Sequence, residues 1–185
     1  MDAIELILSR RSVRAYTDEL LDDGQIDKLL RAAMAAPTAI NQKPWEFVVV
    51  TDPEILARLR ERLVFGRYPA PCAIAVCGNR RFAHPANGWS YWEQDCSAAT
   101  ENLMIAAAGL GLGTVWIGVH PLPSVVRSVS SILNLPEDVV PLNVVYVGHP
   151  AETPEPRTQF DPRRVHLQVY EARKPRAREK NPKKG

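Results

Sequence analysis

Residues 91–119 read YWEQDCSAATENLMIAAAGLGLGTVWIGV, and the order of features in this stretch decides the fold. Its first part is dense in alanine, at positions 98, 99, 106, 107 and 108. Small residues on most faces of a helix let other elements approach closely, so the pattern predicts a long helix over residues 91–109 at the centre of the domain. Glycines at 109, 111 and 113 end it, and the β-rich run 114–119 follows as a strand. The order helix, glycines, strand excludes a dinucleotide-binding loop, in which glycines lie between a strand and the helix whose N-terminus meets the phosphate. Here a phosphate would meet a helix C-terminus, the wrong end of the dipole. The spacing G-x-G-x-G also lacks the final x-x-G. Two readings remain: a glycine cap on the helix, and a segment, Val115 to Gly118, whose backbone donors face a ligand edge.

Working outward, Ala3, Ile4, Leu6 and Ile7 have the spacing of a short amphipathic helix that ends at a basic turn, residues 9–14. A second helix starts near Asp22 and Asp23, carries Ile26, Leu29, Leu30 and Ala33 as its stripe, and is stopped by Pro37. Residues 45–50 and 72–77 read as short buried strands, with a helix over 53–63 between them. A helix over 122–133 and a strand over 143–147 follow. Gly148, His149 and Pro150 then break the chain. From residue 151 onward prolines and charges dominate, with only 165–170 apolar enough to dock. Helices and strands mixed along the whole length give an α+β or α/β class.

The 185 residues suit one domain, and 45% hydrophobic with 24% charged residues describe a soluble globular chain. Cys72, Cys77 and Cys96 make no disulfide framework and read as small buried residues in a reducing compartment. The early apolar run 3–8 is broken by Glu5 and followed, not preceded, by Arg10 and Arg11, which is no secretory signal. Residues 103–119 are too short and too weakly apolar for a membrane span. The expectation is a cytoplasmic protein. The net charge of +2 hides an asymmetry: residues 173–185 hold seven Lys or Arg and one Glu, leaving 16 basic against 20 acidic residues in the body. The tail has no aromatic residue for base stacking and no apolar face, so it reads as a solvated terminus and not a nucleic-acid or membrane anchor.

Two further constellations carry chemistry. Arg10, Arg11, Ser12 and Arg14 place three guanidinium groups and a hydroxyl within five residues. Such a cluster repels itself unless an anion such as phosphate, matched by guanidinium forks, relieves it; a basic surface turn is the plain alternative. Pro37, Thr38, Ala39, Ile40 and Asn41 form a loop rich in amide and hydroxyl ahead of Pro44 and Trp45. It can satisfy a heteroaromatic ring with fixed donors and acceptors, or merely bond its own backbone. No G-K-[ST] loop, no G-x-S-x-G and no Cys/His spacing suited to zinc is found. His84, His120, His149 and His166 are scattered and read as surface or loop residues without a paired group.

Taken in order, RRSVR (10–14), APTAIN-x-x-PWEFVVV (36–50), DCSAATENLMIAAAG (95–109) and GLGTVWIGV (111–119) resemble the nitroreductase family, over roughly residues 3–170. The resemblance implies an α+β fold with a central mixed sheet of four to five strands surrounded by helices, and an intertwined homodimer with two flavin mononucleotide (FMN) sites built from both subunits. Residues 1–172 would be the FMN-binding domain, with 150–172 extended over the partner, and 173–185 a flexible basic tail. By position, Arg10, Arg11, Ser12 and Arg14 match the family's phosphate and ribityl turn. Pro37, Thr38, Ala39 and Asn41 match the loop against the flavin ring. Val115, Trp116, Ile117 and Gly118 match the segment beside its redox-active side. Arg157 best matches a late arginine that completes the phosphate site, with Arg163 and Arg164 as rivals. The chain departs from the family at Lys43, where glutamine is common, and at Gln159, where arginine is frequent.

The implied activity is oxidoreduction from NADH or NADPH, through FMN, to an electron-poor acceptor such as a nitroaromatic or quinone in a ping-pong cycle, with no obligatory acid, base or nucleophile. The alternatives are a non-catalytic flavin-binding or redox-sensing protein, and a specialised flavin enzyme of the same fold. The latter usually adds a substrate lid, for which residues 63–71 leave little room.

Overall fold

The structure, a computed structural model, describes residues 2–63, 65–83, 91–152, 154–155 and 159–171. Among these the chain runs α1 (Ala3–Ser9), α2 (Asp23–Met34), β1 (Trp45–Val50), α3 (Pro53–Arg62), β2 (Cys72–Asn79), α4 (Trp92–Gly109), β3 (Gly113–Gly118), α5 (Pro123–Ile132) and β4 (Val139–Gly148). Local chemistry sets the helix ends. Asp2 with Glu5 and Asp22 with Gln25 form reciprocal capping boxes on α1 and α2. Asp52 caps α3 ahead of Pro53. At the end of α4 the Gly111 and Leu112 N–H groups donate to Ala108 and Ala107 carbonyls, with Gly111 at φ 73°. That is a Schellman turn, and it needs the left-handed backbone that glycine adopts without cost.

The four strands form one sheet in the order β1-β2-β4-β3. Every described pair is antiparallel, which corrects the expected mixed sheet; the one parallel contact is an isolated bridge between Ser12 and Thr114. The continuous apolar run of β2 reports that both faces of the sheet are covered, not that its neighbours run parallel. Alternation along the strands separates two interiors. Ala73, Ala75, Cys77, Val144 and Tyr146 face α3 and α5, with Leu56, Leu59 and Val129. Cys72, Ile74, Val145 and Val147 face α2 and α4, with Leu29, Ala99, Leu103 and Ala107. Helix α4 touches α1, α2 and every strand, as its alanine content predicts. β4 begins four residues earlier than the expected 143–147 because its register with β2 shifts at a bulge that takes up Pro141 and Leu142. A bulge tolerates the missing proline N–H.

Buried polar groups tie α4 to the sheet: Asn143 Nδ2 donates to Thr100 Oγ1 at 3.0 Å, and that hydroxyl donates to the Cys96 carbonyl at 2.7 Å. The three cysteines are buried and free, as expected. Desolvation pushes the Cys72 and Cys77 thiols up to about 12. Beyond Pro150 no described residue is buried. Among the described residues no helix is long and apolar enough to cross a membrane. The basic tail and the 172 boundary lie outside the described residues.

Candidate functional site

The basic turn is pinned to the edge of the sheet. Val13 donates its N–H to the Thr114 carbonyl at 2.9 Å, and Ser12 pairs with Thr114. Tyr16, itself buried, donates its hydroxyl to the Val13 carbonyl at 2.6 Å. Close approach depends on Gly113, where a Cβ would stand 2.7 Å from Val13 Cβ. The structure thus brings residues 10–14 to the start of the 113–118 strand, joining two of the blocks singled out in the sequence.

The three guanidinium groups do not converge, and their expected mutual repulsion is answered by the protein itself. Arg10 Nε donates to Glu101 Oε1 at 2.8 Å, across to α4. Arg11 donates to the Leu8, Arg10 and Glu155 carbonyls. Arg14 leans over the Tyr68 ring, 6.0 Å from its centroid. A cavity of about 180 Å³ borders Arg10, Arg11, Thr114 and Glu152.

β3 carries this corner toward the other end of the sheet. Because the Thr114 carbonyl points away from β4, strand periodicity turns the backbone groups of Trp116 and Gly118 to the same open edge. The side chains of Val115 and Ile117 are buried under α3 and α5. Four residues at about 3.3 Å each separate Thr114 from Gly118 by roughly 13 Å. At the far end lies an apolar cavity of about 360 Å³, lined by Phe65, Trp116, Ile117, Gly118, Leu122 and Val125. A cavity of about 540 Å³ between α3 and α5, lined by Arg58, Arg62 and Arg127 among others, touches none of the residues singled out above.

The Pro37, Thr38, Ala39 and Asn41 loop is elsewhere. It leads into β1, at the opposite edge of the sheet from β3. Three strand spacings of about 4.8 Å put roughly 14 Å between the two. The loop turns as a short 3-10 segment in which Ile40, Asn41 and Lys43 all have positive φ, at 53°, 57° and 53°. A left-handed backbone costs a non-glycine residue about 1–2 kcal/mol, least for asparagine, and is unusual for a β-branched isoleucine. Lys43 N–H donates to Thr38 Oγ1 at 3.0 Å and Ala39 N–H to Asp95 Oδ1 at 2.8 Å. Asp95 is 5% exposed and its Oδ2 is buried with no partner among the described residues. Desolvation raises its carboxyl above the ordinary range, opposed by the Ala39 bond.

Asp95, Glu101 and Tyr68 lie far in sequence from the segments they hold and were given no role by the sequence reading. The one legible signal was the acidic start of α4, Glu93 and Asp95, ahead of its alanines. Two histidines do have carboxylate neighbours, contrary to expectation: His120 Nε2 is 3.1 Å from Glu93 and His149 Nε2 is 3.5 Å from Glu19. Arg157 and His84 lie outside the described residues. The rivals Arg163 and Arg164 both face Asp161, whose carboxyl the Arg163 side chain pulls down to about 2.

Comparison with known proteins gives these features a family. The profile of the Nitroreductase family matches residues 7–66 and 63–149. A protein of Methanothermobacter thermautotrophicus, provisionally named an NADH dehydrogenase/NAD(P)H nitroreductase, is 42% identical over 172 residues, 92% of this chain and 88% of its own. The crystal structure of a similarly named protein from Parabacteroides distasonis superposes with a TM-score of 0.86 at 39% identity, covering 91% of this chain and 98% of that one. An FMN-dependent nitroreductase from Clostridium difficile superposes at 0.82 with 26% identity, over 90% and 99% of the two chains. The matched residues take in the basic turn, the strained loop, the alanine helix and the open-edged strand, and the chain belongs to the nitroreductase family.

Proposed function

We propose that this chain is an FMN-dependent oxidoreductase passing reducing equivalents from NADH or NADPH to an electron-poor acceptor. One observation carries the reading: a single strand joins a basic, hydroxyl-bearing turn at Thr114 to an open backbone edge and an apolar cavity at Trp116–Gly118. That layout suits an elongated ligand with a phosphate at one end and a flat ring at the other. Relatives named for FMN and NAD(P)H support it.

Arg10, Ser12 and Arg14 would hold the phosphate and ribityl chain through charge-assisted bonds, Arg10 being shared with Glu101. Arg11, bonded to three carbonyls, would shape the turn. Arg157 would complete the phosphate site. Val115, Trp116, Ile117 and Gly118 would flank the ring, with the outward N–H groups of Trp116 and Gly118 as fixed donors near developing negative charge. Held by these residues, FMN would supply the redox chemistry between nicotinamide donor and acceptor, which no side chain here provides. The apolar cavity favours flat acceptors such as nitroaromatics or quinones, since its lining selects shape over functional group. Donor and acceptor using that cavity in turn gives a ping-pong order.

The Pro37, Thr38, Ala39 and Asn41 loop stands at the wrong sheet edge to reach the ring flanked by its own β3, so a second copy would supply it. Ile4, Ile7 and Leu8 on α1 and Leu167, Val169 and Tyr170 near the C-terminus are exposed in the single chain. A homodimer in which residues 150–172 lie over the partner would cover such surface. The compartment in this reading is the cytoplasm.

The test is the visible absorption spectrum of the purified protein with FMN, followed by anaerobic addition of NADH or NADPH. Flavin bands that bleach support the reading and identify the donor. Bands that persist indicate a flavin-binding protein without this activity. Failure to bind added FMN overturns the proposal.

A further inference from the structure

The loop at residues 37–43 holds three non-glycine residues in left-handed backbone, yet the bonds Asn41 N–H to Thr38 O, Gln42 N–H to Ala39 O and Lys43 N–H to Thr38 Oγ1 are all local. Local bonds fix the shape of a turn but not its place on the molecule. A loop carrying such strain persists only where its surroundings over-determine it. The tie to the rest of the fold comes from Asp95, 56 positions away in the first turn of α4, whose Oδ1 accepts the Ala39 N–H at 2.8 Å.

That carboxylate is an expensive choice for a merely structural tie. It is almost wholly buried, and Oδ2 meets no donor among the described residues. A buried acceptor left unpaired works against stability. Burial pushes the carboxyl up for the same reason. Apolar side chains would pack this side of α4 more cheaply, as Cys96, Ala99, Leu103 and Ala107 do along the helix. What Asp95 supplies that they cannot is an acceptor aimed at the first N–H of the strained turn.

We infer that Asp95 is a positioning residue for the flavin: through the Ala39 N–H it anchors the left-handed loop at the place where Thr38, Ala39 and Asn41 are presented to the ring. This rests on the FMN reading above, and it adds a residue that never touches the cofactor.

The experiment uses the full-length chain with FMN and two substitutions. Asp95→Leu has the branching of aspartate without an acceptor, and it removes the unpaired oxygen, so the fold is retained. Asp95→Asn keeps an acceptor for Ala39. FMN affinity is read by titration of flavin fluorescence, the ring's surroundings by visible circular dichroism of the bound flavin, and fold stability by melting of the FMN-free protein. For Asp95→Leu the expected result is at least a tenfold loss of FMN affinity and an altered visible dichroism, with the melting temperature little changed. Asp95→Asn should stay within about threefold of the parent, with the parent dichroism. Parent affinity and dichroism in Asp95→Leu overturn the inference. So does loss of both in Asp95→Asn, and so does a loss of affinity in Asp95→Leu that Leu103→Ala, a pure core lesion in the same helix, reproduces at equal loss of melting temperature. If the parent chain itself does not bind FMN, the flavin reading fails first, an outcome distinct from any of these.

Discussion

Gly113→Ala isolates the contact between the basic turn and β3. The added methyl would stand 2.7 Å from both Cβ and Cγ1 of Val13, closer than side chains pack. Val13 cannot step aside, because it is buried and its N–H is bonded to the Thr114 carbonyl at 2.9 Å. Either the core absorbs an overpacking strain of about 1–3 kcal/mol, or the turn lifts and forfeits a backbone bond worth about 1 kcal/mol as well. A loss of about 1–4 kcal/mol across the two cases corresponds, in a chain of this size, to a fall in melting temperature of roughly 3–15 °C. Gly118→Ala, in the same strand, is the matched control: a Cβ there meets nothing within 4 Å. Thermal melting of the FMN-free protein, followed by circular dichroism, compares the two. Gly113→Ala should melt well below the parent and Gly118→Ala within about 2 °C of it, which roughly equals a shift under 1 kcal/mol. A Gly113→Ala protein that melts with the parent would refute the claim that the turn is held by close backbone approach.

Ile40→Gly removes a left-handed penalty of about 1–2 kcal/mol against an entropic cost of about 0.5–1 kcal/mol; urea denaturation should therefore show stability unchanged or slightly raised, and a clear loss would mean the loop is not strained. With their thiols pushed far above neutral by burial, Cys72, Cys77 and Cys96 should resist a thiol reagent in the native protein at pH 8 and react only after denaturation. Fast labelling of the native protein would contradict that burial. Asp161 should remain ionised at pH 4 in a carboxyl NMR titration and rise toward the ordinary range in Arg163→Ala without reaching it, because the residue 163 N–H still donates to Oδ1. Because its folded value is depressed, the stability it lends is present above the ordinary carboxyl range and is lost as pH falls toward about 2.

Much of the fold was legible because its signals are local. The alanines at 98, 99, 106, 107 and 108 marked a helix that everything else approaches, and Asp22, Pro53 and the 109–113 glycines marked element ends. Strand direction was not legible, since an apolar run such as CAIAVC says that two faces are covered and is silent on which way the neighbours run. At the candidate site, residue types were legible and relations were not. Nothing near Arg10 announces Glu101, 91 positions on, and nothing near Ala39 announces Asp95. Nor does local spacing show that Ile40 takes a conformation isoleucine avoids, in a turn whose anchor, Asp95, lies 56 positions on from Ala39.

The partition of the interior by the sheet has a consequence for how the protein tolerates change. Val13 and Tyr16, which moor the basic turn, belong to the hydrophobic compartment under α3 and α5. Ala36, at the root of the strained loop, belongs to the other, under α2 and α4. Lesions in separate clusters combine nearly additively, whereas neighbours couple. A core substitution beneath α5 therefore slackens one mooring and leaves the other taut. The two ends of the site can drift apart in sequence at their own pace, each answerable only to its own half of the core.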